Sequence, residues 1–287
     1  MKTILVPTDF SAGAEAALHF AVMIARQQKA SLLLAHVYTP DLPLGPVPYE
    51  VIARESTVKQ ERARARIKEL CRRVDAEGDI DFDYALVEGA AVDKIVKVAK
   101  ESGAALIIMG NRGEGGLPDF LFGTTATGVI EQAPCPVIAI PENTVVESAM
   151  QRITYATDFL RTDIGAIRTI VELARPVNAV VTVLHVAKEG ANTGAELGKL
   201  DVFCREVESS IGYGRLACEL LSGDDVEAEL KEYVYKRKTD ALVLCTKQRG
   251  LLSRLLAPGI TGRIARTSPV PVIAFHFKKD AGIKIFA

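Results

Sequence analysis

Residues 4–10 read Ile4-Leu5-Val6-Pro7-Thr8-Asp9-Phe10, and residues 153–159 read Ile153-Thr154-Tyr155-Ala156-Thr157-Asp158-Phe159. The second run lies 149 positions after the first, and His36-Val37 returns at the same interval as His185-Val186. An interval that holds across more than thirty residues marks a duplication. Nearer the ends, Pro134-Cys135-Pro136-Val137-Ile138-Ala139-Ile140 matches Pro269-Val270-Pro271-Val272-Ile273-Ala274-Phe275 at 135 positions, so the second copy lacks 14 residues from its middle. The chain is read as two homologous domains, 1–145 and 146–287, joined near Pro141-Glu142-Asn143-Thr144, whose proline and polar residues suit a short linker.

Within the first copy, strands and helices alternate. Ile4–Val6 is an apolar strand stopped by Pro7, and Ser11 is the expected N-cap of a helix with a face of Ala14, Leu18, Ala21, Val22 and Ala25. Residues 32–37 form a continuous apolar strand, and a connection with Pro40, Pro43, Pro46 and Pro48 precludes regular structure after it. A long charged helix follows with a stripe at Ala63, Ile67, Leu70 and Val74, then a strand at Phe82–Val87 and a helix with Val92, Ile95, Val96 and Ala99. Residues 105–109 form a buried strand, Ala126, Val129, Ile130 and Ala133 a helical face, and Val137–Ile140 a closing fifth strand. The fold class is α/β: each domain is a five-stranded parallel sheet with helices on both faces. In the second copy the third strand is expected near Val226–Leu230, leaving room for only a stunted helix before a fourth strand at Ala241–Cys245.

Composition narrows the function. The chain has 287 residues, 48% hydrophobic and 25% charged, enough for two ordinary domain cores. Thirty-five basic against 36 acidic residues leave a net charge of −1, which argues against nucleic acid or an anionic membrane as a partner. No apolar run reaches the roughly 18–20 residues of a membrane span, and the amino-terminal apolar stretch is too short for a signal peptide. Five scattered cysteines, without CxxC or Cys/His clustering, read as reduced and mostly buried thiols, which favours the cytoplasm.

In open α/β sheets, ligands sit beyond the carboxyl ends of the strands, at the switch point beside the first strand. Three segments of the first copy converge there: Pro7-Thr8-Asp9, Val37, and the loop from Gly110-Asn111-Arg112-Gly113 to Gly123-Thr124-Thr125. Its spacing, Gly110-x2-Gly113-x9-Gly123-Thr124, lets backbone N–H groups approach an anion, and Thr124 and Thr125 open a helix whose amino end favours phosphate. The loop lacks the GxxxxGK[ST] pattern, and no GxSxG or HExxH motif occurs. His36 and His185 read as satisfied core histidines and Cys135 as packing, and no acid/base pair is evident.

The order of elements, the strand ending in Thr8-Asp9, His36-Val37, the glycine loop and the Pro-Cys-Pro-Val strand resemble the universal stress protein family, over nearly the whole chain as a tandem of two such domains. The resemblance implies a Rossmann-like fold of the adenine nucleotide alpha hydrolase kind and a nucleotide-dependent role in stress response. Carried over by matched position, Asp9 and Val37 would lie against the adenosine of ATP. Met109, Gly110 and Gly113 would wrap the ribose and phosphates, and Gly123, Thr124 and Thr125 would hold the phosphates, with Pro7, Thr8 and Arg112 completing the nucleotide-binding set. Mg2+ is expected to accompany the triphosphate, whose charge Arg112 alone does not balance. With no phosphate-clamping lysine and no obvious base, any hydrolysis or self-phosphorylation is expected to be slow. The family uses its fifth strand as a dimer surface, so the two copies are expected to pair within the chain as a pseudo-dimer, with a homodimer left open and the downstream protein partner unnamed.

The second copy departs from the pattern. Counting back from its last strand puts Cys245, Gln248 and Pro258 at the glycine positions; slipping by one gives Thr246, Arg249 and Gly259. Side chains would fill the phosphate space, so ATP is expected in the first domain alone, with Asp158 stabilising the helix that follows it. Lys247, Arg249, Arg254, Arg263 and Arg266 read as a solvated face, or as a site for another anion. Two alternatives remain at this stage: a scaffolding stress protein with a vestigial site, and an adenine-nucleotide-using enzyme of a related fold. An adenylating member needs an SGGxDS-like loop after its first strand, which Pro7-Thr8-Asp9-Phe10-Ser11 does not supply.

Overall fold

The computed structural model describes residues 2–39, 48–112, 124–144, 150–246 and 268–276. The first half runs β1 (Thr3–Pro7), α1 (Ala12–Gln28), β2 (Ser31–Tyr38), α2 (Tyr49–Glu77), β3 (Phe82–Glu88), α3 (Ala91–Glu101), β4 (Leu106–Gly110), α4 (Thr124–Gln132) and β5 (Val137–Ile140). The second runs β6 (Arg152–Ala156), α5 (Arg161–Ala174), β7 (Val180–Ala187), α6 (Thr193–Ile211), β8 (Leu216–Ser222), α7 (Val226–Arg237), β9 (Ala241–Thr246) and β10 (Val272–His276).

The apolar periodicities account for these elements. Ala63, Ile67, Leu70 and Val74 are the buried residues of the 29-residue α2, all on one stripe of a helix otherwise rich in charge. Ile67, Leu70 and Val74 each contribute about 1.5–3 kcal/mol by leaving water, and the single methyl of Ala63 less. Ser11 caps α1, its Oγ accepting from the backbone of Ala14 at 3.2 Å.

The strands form one ten-stranded sheet in the order β3-β2-β1-β4-β5-β10-β9-β6-β7-β8. Pairing within each half is parallel, whereas β5 and β10 pair antiparallel in the register Val272↔Ala139, Ile273↔Ile138 and Ala274↔Val137. The closing strands of the two halves are thus the centre of a continuous sheet. This antiparallel joint turns the carboxyl ends of the two sets of strands toward opposite rims. Two apolar layers cover the sheet and each draws on both halves. One includes α1, α2, α5 and α6, and the other α3, α4 and α7.

Two expectations are corrected. The third strand of the second half is Leu216–Ser222, and Val226–Leu230 belongs to the 12-residue helix α7. Asp225 fixes that helix by accepting from the backbones of Glu227 and Ala228, and Leu230, Tyr233 and Val234 bury a helical face. The missing residues come instead from α6, with 19 residues against 29 in α2, and from the shorter connection before it. The cysteines are also not all thiols. Cys204 of α6 and Cys218 of β8 form a disulfide, while Cys71, Cys135 and Cys245 are free. The partners sit on different elements brought together by the turn between them, so no short motif announces the pair.

Candidate functional site

The carboxyl end of β1 is shaped by a chain of short hydrogen bonds. Past Pro7, the Thr8 amide donates to the Ala35 carbonyl at 2.8 Å, carrying the ladder one step further. Phe10 then adopts φ +65°, a left-handed conformation costing a non-glycine residue about 1–2 kcal/mol. The turn is held because Thr8 Oγ1 accepts from the Phe10 amide and Asp9 Oδ1 from the Ser11 amide, each at 3.0 Å. His36 Nδ1 donates to the Thr8 carbonyl at 2.7 Å and its ring packs 4.5 Å from that of Phe10. The histidine is the satisfied structural residue expected, with its proton on Nδ1.

At the neighbouring carboxyl end of β4 the controlling feature is a backbone contact. A Cβ on Gly110 would lie 2.6 Å from the Gly13 carbonyl carbon and 3.0 Å from the Ala14 nitrogen. A Cβ on Gly13 would lie 2.7 Å from the Arg112 carbonyl oxygen. Two glycines therefore let the first turn of α1 press directly on the end of β4. The absent side chain of Gly110 faces this helix. Asn111 follows, 5% exposed, its backbone amide donating to the Ile140 carbonyl at 2.8 Å while its buried side-chain Oδ1 has no hydrogen-bond partner among the described residues. The Arg66 guanidinium from α2 stands 4.2 Å above the Phe10 ring.

Each expected site residue can now be located. Pro7 and Thr8 are buried at the end of β1, Asp9 is half-buried in the turn, and Val37 is half-buried near the end of β2. Met109 is 5% exposed, its side chain within the core. Gly110 ends β4, Arg112 is exposed beyond it, and Thr124 and Thr125 open α4. Gly113 and Gly123 lie outside the described residues, as do Lys247, Gln248, Arg249, Arg254, Pro258, Arg263 and Arg266. Sequence reasoning missed Gly13 and Arg66, and named Asn111 only as part of the glycine loop. Gly13 had a signal, a glycine in the first turn of an otherwise regular helix.

The second half repeats the turn and changes its surroundings. Phe159 has φ +59°, Thr157 Oγ1 accepts from its amide at 2.9 Å, and His185 Nδ1 donates to the Thr157 carbonyl at 2.7 Å. At the intervals of 149 and 135, Thr162 and Cys245 replace Gly13 and Gly110, and Tyr155 replaces Val6. The Tyr155 hydroxyl and Cys245 Sγ lie 2.7 Å apart, and Asp163, 1% exposed, accepts from Thr157 Oγ1 at 2.6 Å and from the Leu160 amide at 3.2 Å. Asp163 thus makes a hydrogen bond to the start of α5. Burial raises the Asp163 carboxyl above its ordinary value, and the two hydrogen bonds oppose that rise. The ring of Phe203 packs on Phe159 at 5.6 Å, whereas in the first half a guanidinium covers Phe10.

Other chemistry is sparse. Among the described residues no group of three or more His, Cys, Asp or Glu is arranged to hold a metal ion, and no helix is long and apolar enough to cross a membrane. Burial pushes the Cys135 thiol up to about 12, as suits a packing residue.

Comparison with known proteins agrees with this architecture. The model of the universal stress protein family matches residues 1–141 and again 150–276. A universal stress protein of Thermus aquaticus is 32% identical over 141 residues, 48% of this chain and 98% of its own length. One from Mycobacterium bovis is 23% identical over 278 residues, covering 90% of this chain and 94% of its own. The crystal structure of a universal stress protein from Archaeoglobus fulgidus superposes with a TM-score of 0.76 at 19% identity, over 96% of this chain and 98% of that one. The chain belongs to the universal stress protein family, as a tandem of two such domains.

Proposed function

We propose that the first domain binds one molecule of ATP and that the protein acts as a nucleotide-dependent regulator in stress response. The observation that carries this reading is the Gly13–Gly110 contact, which draws the amino end of α1 onto the end of β4, beside the turn at Thr8-Asp9. In this reading Pro7, Thr8, Asp9 and Val37 border the adenosine. The main chain of Met109, Gly110, Arg112 and Gly113 follows the ribose and phosphates, and Gly123, Thr124 and Thr125 meet the phosphates at the amino end of α4.

The residues present fit such a ligand. The buried Asn111 Oδ1 lacks a donor among the described residues, which a ribose hydroxyl or an adenine amine would supply. Arg66 and Arg112 bring positive charge to a polyphosphate, and Mg2+ bound by the phosphates themselves would neutralise the remainder. The second domain, with Cys245 and Tyr155 in place of Gly110 and Val6, is read as closed to ATP in this manner. Pairing of β5 with β10 is read as the internal equivalent of a dimer contact between single-domain chains. A scaffolding protein with a vestigial site is the second reading. It draws on the same contact, since α1 demands a glycine at position 110 whether or not a ligand is bound.

Mass analysis of nucleotide retained by the purified full-length chain separates the two. ATP in near one-to-one amount with slow turnover supports the first reading, and a chain that neither retains nor takes up ATP supports the second. Rapid release of AMP on adding a co-substrate would instead indicate an adenylating enzyme.

A further inference from the structure

We propose that Cys204 and Cys218 form a reversible thiol–disulfide site, opened by small thiols that attack Cys218 at the outer edge of the sheet and closed again by a hydroperoxide. The two cysteines join α6 to β8 with their Cα atoms 6.7 Å apart, within bridging range. Cys218 is exposed, and its strand is the last of the sheet order, paired with β7 alone among the described residues. Cys218 is therefore the member of the pair that meets solvent and the one an incoming thiolate reaches first, while Cys204, 7% exposed in α6, is sheltered.

Packing holds α6 to β8 alongside the bond. Leu200, Phe203 and Val207 bury the same face of α6 by packing, with Leu216 and Leu220 of β8 against them. The first half builds the equivalent contact without a disulfide. Leu34 pairs with Tyr84, and Val183, 149 positions later, pairs with Cys218. The helix above Tyr84 carries a single free thiol, Cys71. The remaining cysteines do not compete: burial raises the thiols of Cys71, Cys135 and Cys245, which lowers their reactive thiolate fraction.

The chemistry balances in both directions. In reduction, a thiolate attacks Cys218 Sγ, the sulfur–sulfur bond breaks, and its electron pair leaves on Cys204, which takes a proton from water. A second thiolate attacks the small-molecule sulfur of the mixed disulfide and releases Cys218. Two thiols are oxidised to one small disulfide as the protein gains two thiols. In oxidation, the Cys218 thiolate attacks a hydroperoxide oxygen, the oxygen–oxygen bond breaks, and an alcohol (or water) leaves. Cys204 then displaces water from the sulfenic acid to restore the bond.

The test uses the folded full-length chain, dithiothreitol and hydrogen peroxide, with alkylation and peptide mass spectrometry as the readout. Under native conditions dithiothreitol is expected to expose both Cys204 and Cys218 to alkylation while Cys135 stays protected. After the reductant is removed, hydrogen peroxide is expected to restore the Cys204–Cys218 linked peptide. Cys218→Ser is expected to fold and to yield no linked peptide. A bond that resists dithiothreitol until the chain is denatured overturns the proposal, as does a reduced pair that peroxide leaves unlinked, or a variant in which Cys204 links to another cysteine. This inference does not rest on nucleotide binding, and its outcome is independent of that reading.

Discussion

Gly110 and Gly13 meet backbone to backbone, so that a Cβ on Gly110 would stand 2.6 Å from the Gly13 carbonyl carbon. Neither neighbour is a flexible side-chain end that could swing aside. Gly110→Ala is therefore expected to push α1 away from β4 and to cost about 1–3 kcal/mol of stability, the usual penalty of overpacking. Denaturant unfolding measures it, and an unchanged midpoint would show that the helix has room to move.

The start of α1 supplies a smaller, separable effect. Ser11 Oγ accepts from the Ala14 amide at 3.2 Å, and Ser11→Ala removes that acceptor. The expected loss is about 1 kcal/mol, read by the same unfolding measurement.

The seam of the sheet is expected to be energetically coupled. Ile138 and Ile273 face each other across β5 and β10, and both are fully buried. Each isoleucine-to-alanine change is expected to cost about 2–5 kcal/mol. Because the two share one contact, the double variant should differ from the sum of the singles by about 0.5–3 kcal/mol. Strict additivity in a double-mutant cycle contradicts the observed register.

Asp163 sets a pH dependence whose sign follows from its burial. Its carboxyl is raised in the folded chain, so the native state holds this proton more tightly than the unfolded state does. Its contribution is complete below the unfolded value and is lost as pH rises through the folded one. Asp163→Asn removes the titration and keeps an oxygen to accept from Thr157 and Leu160. Relative to the wild type, the variant is expected to gain stability as pH rises from about 4 upward, measured by denaturant unfolding at several pH values. A difference that stays constant across that range contradicts this.

Much of this architecture is legible in the residues because apolar period and caps act locally. The stripe Ala63, Ile67, Leu70, Val74 and the cap Ser11 fall where the pattern puts them. The reading failed at Val226–Leu230, where a short apolar spacing suits either a strand or a helix and the Asp225 cap decides for the helix. Spacing also hid what depends on tertiary approach. Gly110 is legible as a site glycine, but that its missing side chain faces Gly13 emerges only when α1 docks on β4. Arg66 reaches Phe10, and Cys204 reaches Cys218, across distances in sequence that no local motif spans.

The central claim is that main-chain amides in the first domain admit a polyphosphate that the second domain excludes. Calorimetric titration of ATP into the full-length chain, beside Gly113→Val and Gly123→Val, tests it most directly. One ATP bound per chain, with binding lost in both variants, is the predicted result. Two ATP per chain, or unchanged affinity in the variants, would contradict it.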